Sequence, residues 1–376
     1  MIPYFLLILI PMLFYFVCVT KKEHSKQIYI GYGEYNRDNN LLLATFFSLL
    51  LLLLVCRGET VGVDLYKYKY IYERDATQSF GNLISQWNDP AFRILNFVLY
   101  RVTNHNFQLY IAIVSILMVL PIMYVYCCDR SHSLVKMLLF VNLSTFLMLF
   151  SGIRQALAIS IGVLAYDCVK KHRVKNFVVM ASLALLMHSS GFMVFLLYPI
   201  YRMRLKKKHI YLIVPIVVGV FILNRQIFGL LDVAINLFYN KYTESIPTSS
   251  AVGALLMFAS FVAFAYIVPD DFKLDDEIIG LRNILTFALI LQCFAPVHTL
   301  AMRINYYFII FIPLALGKCF KLPEKKYEQL ARLVEIVMCV FFALYFVYTI
   351  YTSYRTGKGS LGAVPYIPFW KGQKLL

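Results

Sequence analysis

The sequence predicts an all-α polytopic membrane protein, and three observations carry that prediction. Of 376 residues, 60% are hydrophobic, and the mean hydropathy is +0.69. Only 15% are charged, against about 25% in a soluble globular domain, so a water-soluble fold of this length would lack polar surface to cover itself. A series of apolar runs approaches the ~20 residues that a spanning helix needs. An aromatic content of 16% also excludes low-complexity disorder. The formal charge of +16 then has two candidate sources, topology signals or an anionic ligand.

The runs are 2–19, 41–56, 106–127, 134–151, 153–169, 210–223, 251–268, 281–298, 304–319 and 332–352. The first has no basic residue before it and Lys21–Lys22 after it. A signal peptide carries its positive charge first, so 2–19 is expected to be a permanent helix with its N-terminus outside. The remaining spans are joined by short loops, with longer polar inserts at 57–105 and 224–250. The first insert contains an amphipathic segment, 91–102.

The region 176–201 is apolar but interrupted by His188, Ser189, Ser190 and Gly191, and both flanks are strongly basic. The positive-inside bias puts both flanks in the cytoplasm, so the region is expected to be a short hairpin with His188 at its turn. Irregular backbone at that depth is tolerated only where it lines a cavity or is buried in protein. With this choice the chain threads as a single integral membrane domain, 1–376, of about twelve segments. Loop 57–105 and tail 353–376 then lie outside, as do both termini.

Charges at membrane boundaries are costly and signal function by default. Arg57 leaves the second run and leads through Gly58 and Gly62 to Asp64, followed by Tyr66, Tyr68, Tyr70 and Tyr72. Trp87-Asn88-Asp89-Pro90 puts Asp89 where it suits the cap of segment 91–102. Arg154 and Gln155 stand at the tip of a helical hairpin, His188 at a half-buried turn, and His298 and Arg303 near another outer helix end, with Tyr307 one turn on. Bland readings exist for each: a snorkelling Arg57, a capping Asp89, a hydrogen-bonded core His188.

The coincidence of positions favours function. The threading, fixed by other residues, puts Arg57, Asp64, Asp89, Arg154, His188 and Arg303 on one side. Arginines with one or two carboxylates beneath aromatic loops suit a phosphate or sugar-like anion, because a guanidinium donates two parallel hydrogen bonds to phosphate oxygens.

Other chemistries lack their signatures. No P-loop, dinucleotide fingerprint or nucleophile elbow is present. Eight cysteines without CxxC or Cys/His spacing argue against a disulfide framework or a zinc site. The acidic run 270–277 reads as a solvated cytoplasmic face. Basic residues scattered over short loops make nucleic acid a poor partner.

In chain order, Arg57-Gly-x3-Gly62-Val-Asp64, Asp89-Pro90-x-Phe92, Arg154-Gln155-x-x-Ala158, His188-Ser189-Ser190, Arg303-x-x-Tyr306-Tyr307 and Pro365-Tyr366-x-Pro368-Phe369 resemble the EpsG-type, Wzy-like polysaccharide polymerase family. One departure is Asp89, where Glu is expected before the proline. The resemblance implies a membrane glycosyltransferase of the bacterial cytoplasmic membrane. Its substrate would be undecaprenyl-diphosphate-linked oligosaccharide, polymerised on the outer face towards capsule, exopolysaccharide or O-antigen. Membrane lipids, a flippase and a chain-length regulator are the implied partners, and no metal or cofactor is implied. Arg154 and Arg303 would hold the diphosphate, with Arg57 orienting it or pairing with Asp64, and with Gln155 and Tyr307 beside them. Asp89, Asp64 or His188 would accept the proton of the attacking hydroxyl.

Rival readings are a flippase for the same units, another membrane transferase such as a polysaccharide ligase or acyltransferase, and a non-enzymatic assembly subunit. A transporter is expected to show broken helices and midplane charges in two related halves. Here the charges gather on one face and no repeat is evident.

Overall fold

The computed structural model describes residues 1–25, 36–85, 88–129, 131–143, 145–230 and 250–371. Residues 26–35 of segment 20–40, Trp87, most of insert 224–250 and the end of tail 353–376 lie outside the described residues. Among the described residues the regular elements are helices, with two isolated β-bridges, Arg57 to Pro368 and Pro269 to Pro323.

The helices are α1 (Ile2–Ser25), α2 (Asn36–Cys56), α3 (Leu65–Ala76), α4 (Phe80–Ser85), α5 (Pro90–Val102), α6 (Phe107–Cys128), α7 (Ser133–Asn142), α8 (Thr145–Ser151), α9 (Ile153–Lys170) and α10 (Val174–Met187). A 3₁₀ segment (Ser189–Leu196) follows, then α11 (Leu197–Arg202), α12 (Ile210–Ile222), α13 (Asn224–Leu230), α14 (Ser250–Ile267), α15 (Asp276–Gln292), α16 (Thr299–Ile309), α17 (Ile312–Cys319) and α18 (Glu328–Thr356). Cα packing groups them into two compact units, Met1–Phe195 with Glu335–Leu376, and Leu196–Val334.

The expected apolar runs fall on helices, with three differences. Run 134–151 is interrupted after Asn142, whose side chain donates to the Leu138 and Phe342 carbonyls. Run 304–319 bends by 47° between α16 and α17, because Pro313 in the first turn of α17 has no N–H to continue the ladder. Run 281–298 is displaced. Its helix starts at Asp276, where the Asp275 side chain accepts from the Ile278 N–H at 2.7 Å, and acids fill the first turn. Among the described residues, Phe107–Cys128 and Lys325–Thr356 are each long and apolar enough to cross a membrane, and up to five spans result if each bent pair counts as one.

In the first unit α2 packs on α1 and α6, and α9 packs on α6 and α10. Rings fill the interior, with Phe46, Phe47, Tyr126 and Phe140 in edge-on contact. Helix α9 buries the small residues Ala156, Ala158, Ser160 and Gly162, and Ser160 Oγ donates across to the Met118 carbonyl of α6 at 2.6 Å. In an apolar solvent such close van der Waals contact and interhelical hydrogen bonding replace the hydrophobic drive.

Between α2 and α6, α3 packs on α5. Helix α3 buries Leu65, Tyr68, Tyr72 and Asp75, and α5 buries Phe92, Asn96 and Leu99, each a stripe at helical spacing. The C-terminal tail returns to this region. Gly58 N–H donates to Ile367 O at 2.8 Å, Phe369 N–H to Cys56 O at 3.0 Å, Gly62 N–H to Gly362 O at 2.9 Å and Val63 N–H to Leu361 O at 3.0 Å. Tyr366 anchors the tail through Leu53 O, and Tyr4 through Ala363 O.

In the second unit α15 packs on α11, α14, α16 and α17. The Tyr201 ring covers Gly280 so closely that a Cβ there would lie 2.3 Å from it. Arg282, 1% exposed, donates to Leu205 O and Asp271 and lies 4.3 Å over the Tyr266 ring.

Candidate active site

The first unit holds six of the expected residues: Arg57, Asp64, Asp89, Arg154, Gln155 and His188. Helix α8 ends at Ser151, the ladder breaks just after Gly152, whose N–H still donates to Met148 O at 2.8 Å, and Arg154 stands in the first turn of α9. The break is held by Gly62, whose backbone (φ +115) presses so close that a Cβ would lie 2.0 Å from Phe150 O. Arg57 is fully buried, and its Nη1 donates to Leu149 O at 3.1 Å and Phe150 O at 2.8 Å. These are carbonyls at a helix end, so Arg57 acts in this structure as a C-terminal cap for α8. Its Nε and Nη2 are buried without a hydrogen-bond partner.

Asp64 meets the same break. Its backbone N–H donates to Ser151 Oγ at 3.3 Å, Ser151 Oγ donates to its Oδ2 at 3.2 Å, and Lys67 pairs with its Oδ1 at 3.0 Å. Thus Arg57 and Asp64 grip adjacent residues one turn before Arg154, rather than each other.

Arg154 points to Asp89, with Nη1 2.6 Å from Oδ2. Its backbone N–H donates to the Tyr68 hydroxyl at 3.4 Å, and its guanidinium lies 5.9 Å from the Tyr68 ring centroid and 6.0 Å from that of Phe92. Tyr68 and Phe92 pack edge to face, so the arginine stem is walled by two aromatics. Gln155, next in the helix, is buried.

Asp89 occupies the N-cap of α5, yet makes no side-chain bond to that helix. Its backbone is left-handed (φ 57), a region Asp tolerates better than most residues. The carboxylate instead accepts from the Ser189 N–H at 2.9 Å and faces His188 Nδ1, 3.4 Å from both oxygens. Helix α10 ends at Met187, His188 is extended, and Gly191 lets the chain fold against Ala184 O, where a Cβ would lie only 2.2 Å away. The Phe195 ring then packs on Phe177. Helix α10 has 14 residues, about 21 Å at 1.5 Å per residue, which is shorter than the roughly 30 Å of a bilayer core.

Burial acts most strongly on the Asp89 carboxyl and pushes its pKa up. The hydrogen bond and charge of His188, the charge of Arg154 and the Ser189 N–H together outweigh burial and hold it below the usual carboxylate value. Asp89 is therefore an ionised acceptor at neutral pH.

Two site features escaped the sequence reading. Tyr68 was only one of a row of tyrosines. Asp75 is fully buried, accepting from Arg74 and from Asn96, which in turn accepts from the Tyr110 hydroxyl at 2.9 Å. Its place on the stripe Leu65, Tyr68, Tyr72 was the available signal.

Arg303, Tyr307 and His298 belong to the second unit. His298 caps α16, its Nδ1 accepting from the Leu300 N–H at 2.9 Å, and stacks on Phe228. Arg303 is exposed and Tyr307 buried. Asn305 donates to Ala288 O and to Gln292. Among the described residues no three His, Cys, Asp or Glu side chains gather as metal ligands.

An all-α chain with membrane-type helices and a cation, a carboxylate and an imidazole joined at helix ends defines a membrane protein with a built polar site. More particularly, the chain belongs to the EpsG family, whose model matches residues 40–367. No curated protein and no solved structure matches it. Family membership points to membrane polysaccharide biosynthesis of a polymerase-like kind.

Proposed function

We propose that this chain polymerises undecaprenyl-diphosphate-linked oligosaccharide repeat units on the outer face of the bacterial cytoplasmic membrane. The observation that supports the reading best is Arg154–Asp89–His188, a cation, an ionised carboxylate and an imidazole meeting from three separate segments. The proposal keeps the threading of about twelve segments with both termini outside. It also keeps a flippase that supplies the units and a chain-length regulator as partners.

In the proposed reaction the nonreducing-end hydroxyl of one unit attacks the anomeric carbon of the growing chain. The bond from that carbon to the lipid diphosphate breaks, and its electron pair leaves with the diphosphate. Negative charge grows on the leaving group, so a fixed guanidinium lowers the barrier. Arg154 takes that role. The hydroxyl proton passes to the Asp89–His188 pair. Asp64, held by Lys67 and Ser151, positions the α8–α9 break. Arg57 braces the same break, and Gln155 lies next to Arg154 in the helix. Arg303 and Tyr307 enter as substrate ligands on the sequence argument alone.

The test is in cells carrying the rest of the pathway. Arg154→Ala and Arg303→Ala, with membrane levels checked, should each shorten or abolish the polysaccharide ladder. Ladders of normal length from both variants would sink the diphosphate assignment.

A further inference from the structure

Asp89 serves other elements more than its own helix. At 6% exposure its carboxylate takes Arg154 Nη1 at 2.6 Å, the Ser189 N–H at 2.9 Å and His188 Nδ1 at 3.4 Å, and gives α5 no cap bond. It holds a left-handed backbone to do so. The arginine is only partly used. One Nη1 bond reaches one carboxylate oxygen, while Arg154 Nε is buried with no hydrogen-bond partner. A guanidinium can present Nε–H and Nη–H as a parallel fork, a match for two oxygens of a phosphate that this single carboxylate contact does not make.

We infer that Asp89 is a displaceable counterion, filling the anion seat on Arg154 that a lipid diphosphate takes over, while the carboxylate stays with His188 and Ser189. This rests on the proposal that Arg154 binds the diphosphate. In the empty site Asp89 neutralises Arg154 and spares it an uncompensated charge in a half-buried place. When the diphosphate draws the guanidinium away, Asp89 loses one of the charges that hold its carboxyl low, at a contact of 2.6 Å, and becomes more basic. Donor binding thereby prepares the group that accepts the acceptor proton, so the two substrates are coupled through one side chain.

The experiment uses the full chain in detergent with farnesyl diphosphate as probe, read by equilibrium binding. Asp89→Asn removes the charge, keeps the shape and suits the left-handed backbone. It should bind at least about tenfold tighter than wild type, since a competing charge at contact distance is gone. Asp89→Glu keeps the charge and should stay within about threefold of wild type. Arg154→Ala should lose the probe. If Asp89→Asn is poorly folded, Asp89→Gly, which adopts the same backbone freely, serves in its place. Unchanged or weaker binding in the uncharged variants, with binding still dependent on Arg154, would overturn the counterion role and leave the diphosphate assignment standing. Binding that ignores Arg154 altogether would overturn both.

Discussion

Arg154 and Asp89, sixty-five positions apart in the chain, meet at 2.6 Å, with Asp89 nearly buried. The pair joins the first turn of α9 to the start of α5. Neither helix brings its own partner: α5 is left without a side-chain cap, and Arg154 stands in the first turn of α9, where the helix dipole disfavours a cation. Two local preferences are overridden in favour of one long-range ion pair, a pattern expected at functional sites.

The buried brace separates from the site chemistry by stability. Arg57→Ala strands the Leu149 and Phe150 carbonyls, and each orphaned buried group costs about 1–3 kcal/mol. Thermal unfolding in detergent should fall by several degrees and membrane levels should drop. Arg154→Ala should keep its level and lose polymerisation. Equal levels and equal melting for Arg57→Ala and wild type would contradict the brace.

Gly62 is the tightest point of the break. Gly62→Ala adds a Cβ 2.0 Å from Phe150 O on a backbone with φ +115. Strained backbone alone costs about 1–3 kcal/mol, so this variant should accumulate poorly. Gly81→Ala, with open space around its Cβ, is the control and should accumulate normally. The measurement is the amount of monodisperse protein extracted from membranes.

The tail is part of the site's scaffold. Tyr366→Phe loses the bond to Leu53 O, worth about 1 kcal/mol, and should melt slightly earlier with activity retained. A stop codon at Ser360 removes all four backbone pairings to residues 56–63 and should abolish accumulation. Full ladders from the truncated chain would show that the pairing is dispensable.

Acid should reveal Asp89. Its folded pKa is depressed, so its stabilising contribution is fully present above the unfolded carboxylate value of about 3.9 and is lost as pH falls through the folded value. The melting gap between wild type and Asp89→Asn should stay constant from about pH 8 to 5 and close below about pH 4. A gap that widens on acidification would reverse the sign and contradict the assignment.

Much of this was legible in the sequence. Apolar runs located the helices, and the ordered short motifs indicated the family. Asp89, Arg154 and His188 stood out as polar residues that a membrane chain would not place idly. Their pairing was not legible, because contacts across sixty-five and ninety-nine positions leave no local spacing. Arg57 was visible as a charge at a helix exit. The carbonyls it serves are exposed only by the break at Gly152, which hydropathy does not register. The α16–α17 bend was hidden in the same way, since Pro313 lies within an uninterrupted apolar run. Asp75 was legible and missed, one position on a helical stripe otherwise made of apolar and aromatic residues.

The central claim is bond formation between lipid-linked units. Purified chain in proteoliposomes, given a synthetic undecaprenyl-diphosphate-linked repeat unit, tests it most directly. The account predicts products longer by whole repeats, one lipid diphosphate released per bond, and neither with Arg154→Ala. Units carried across the bilayer without lengthening would contradict it and leave a transporter as the better reading.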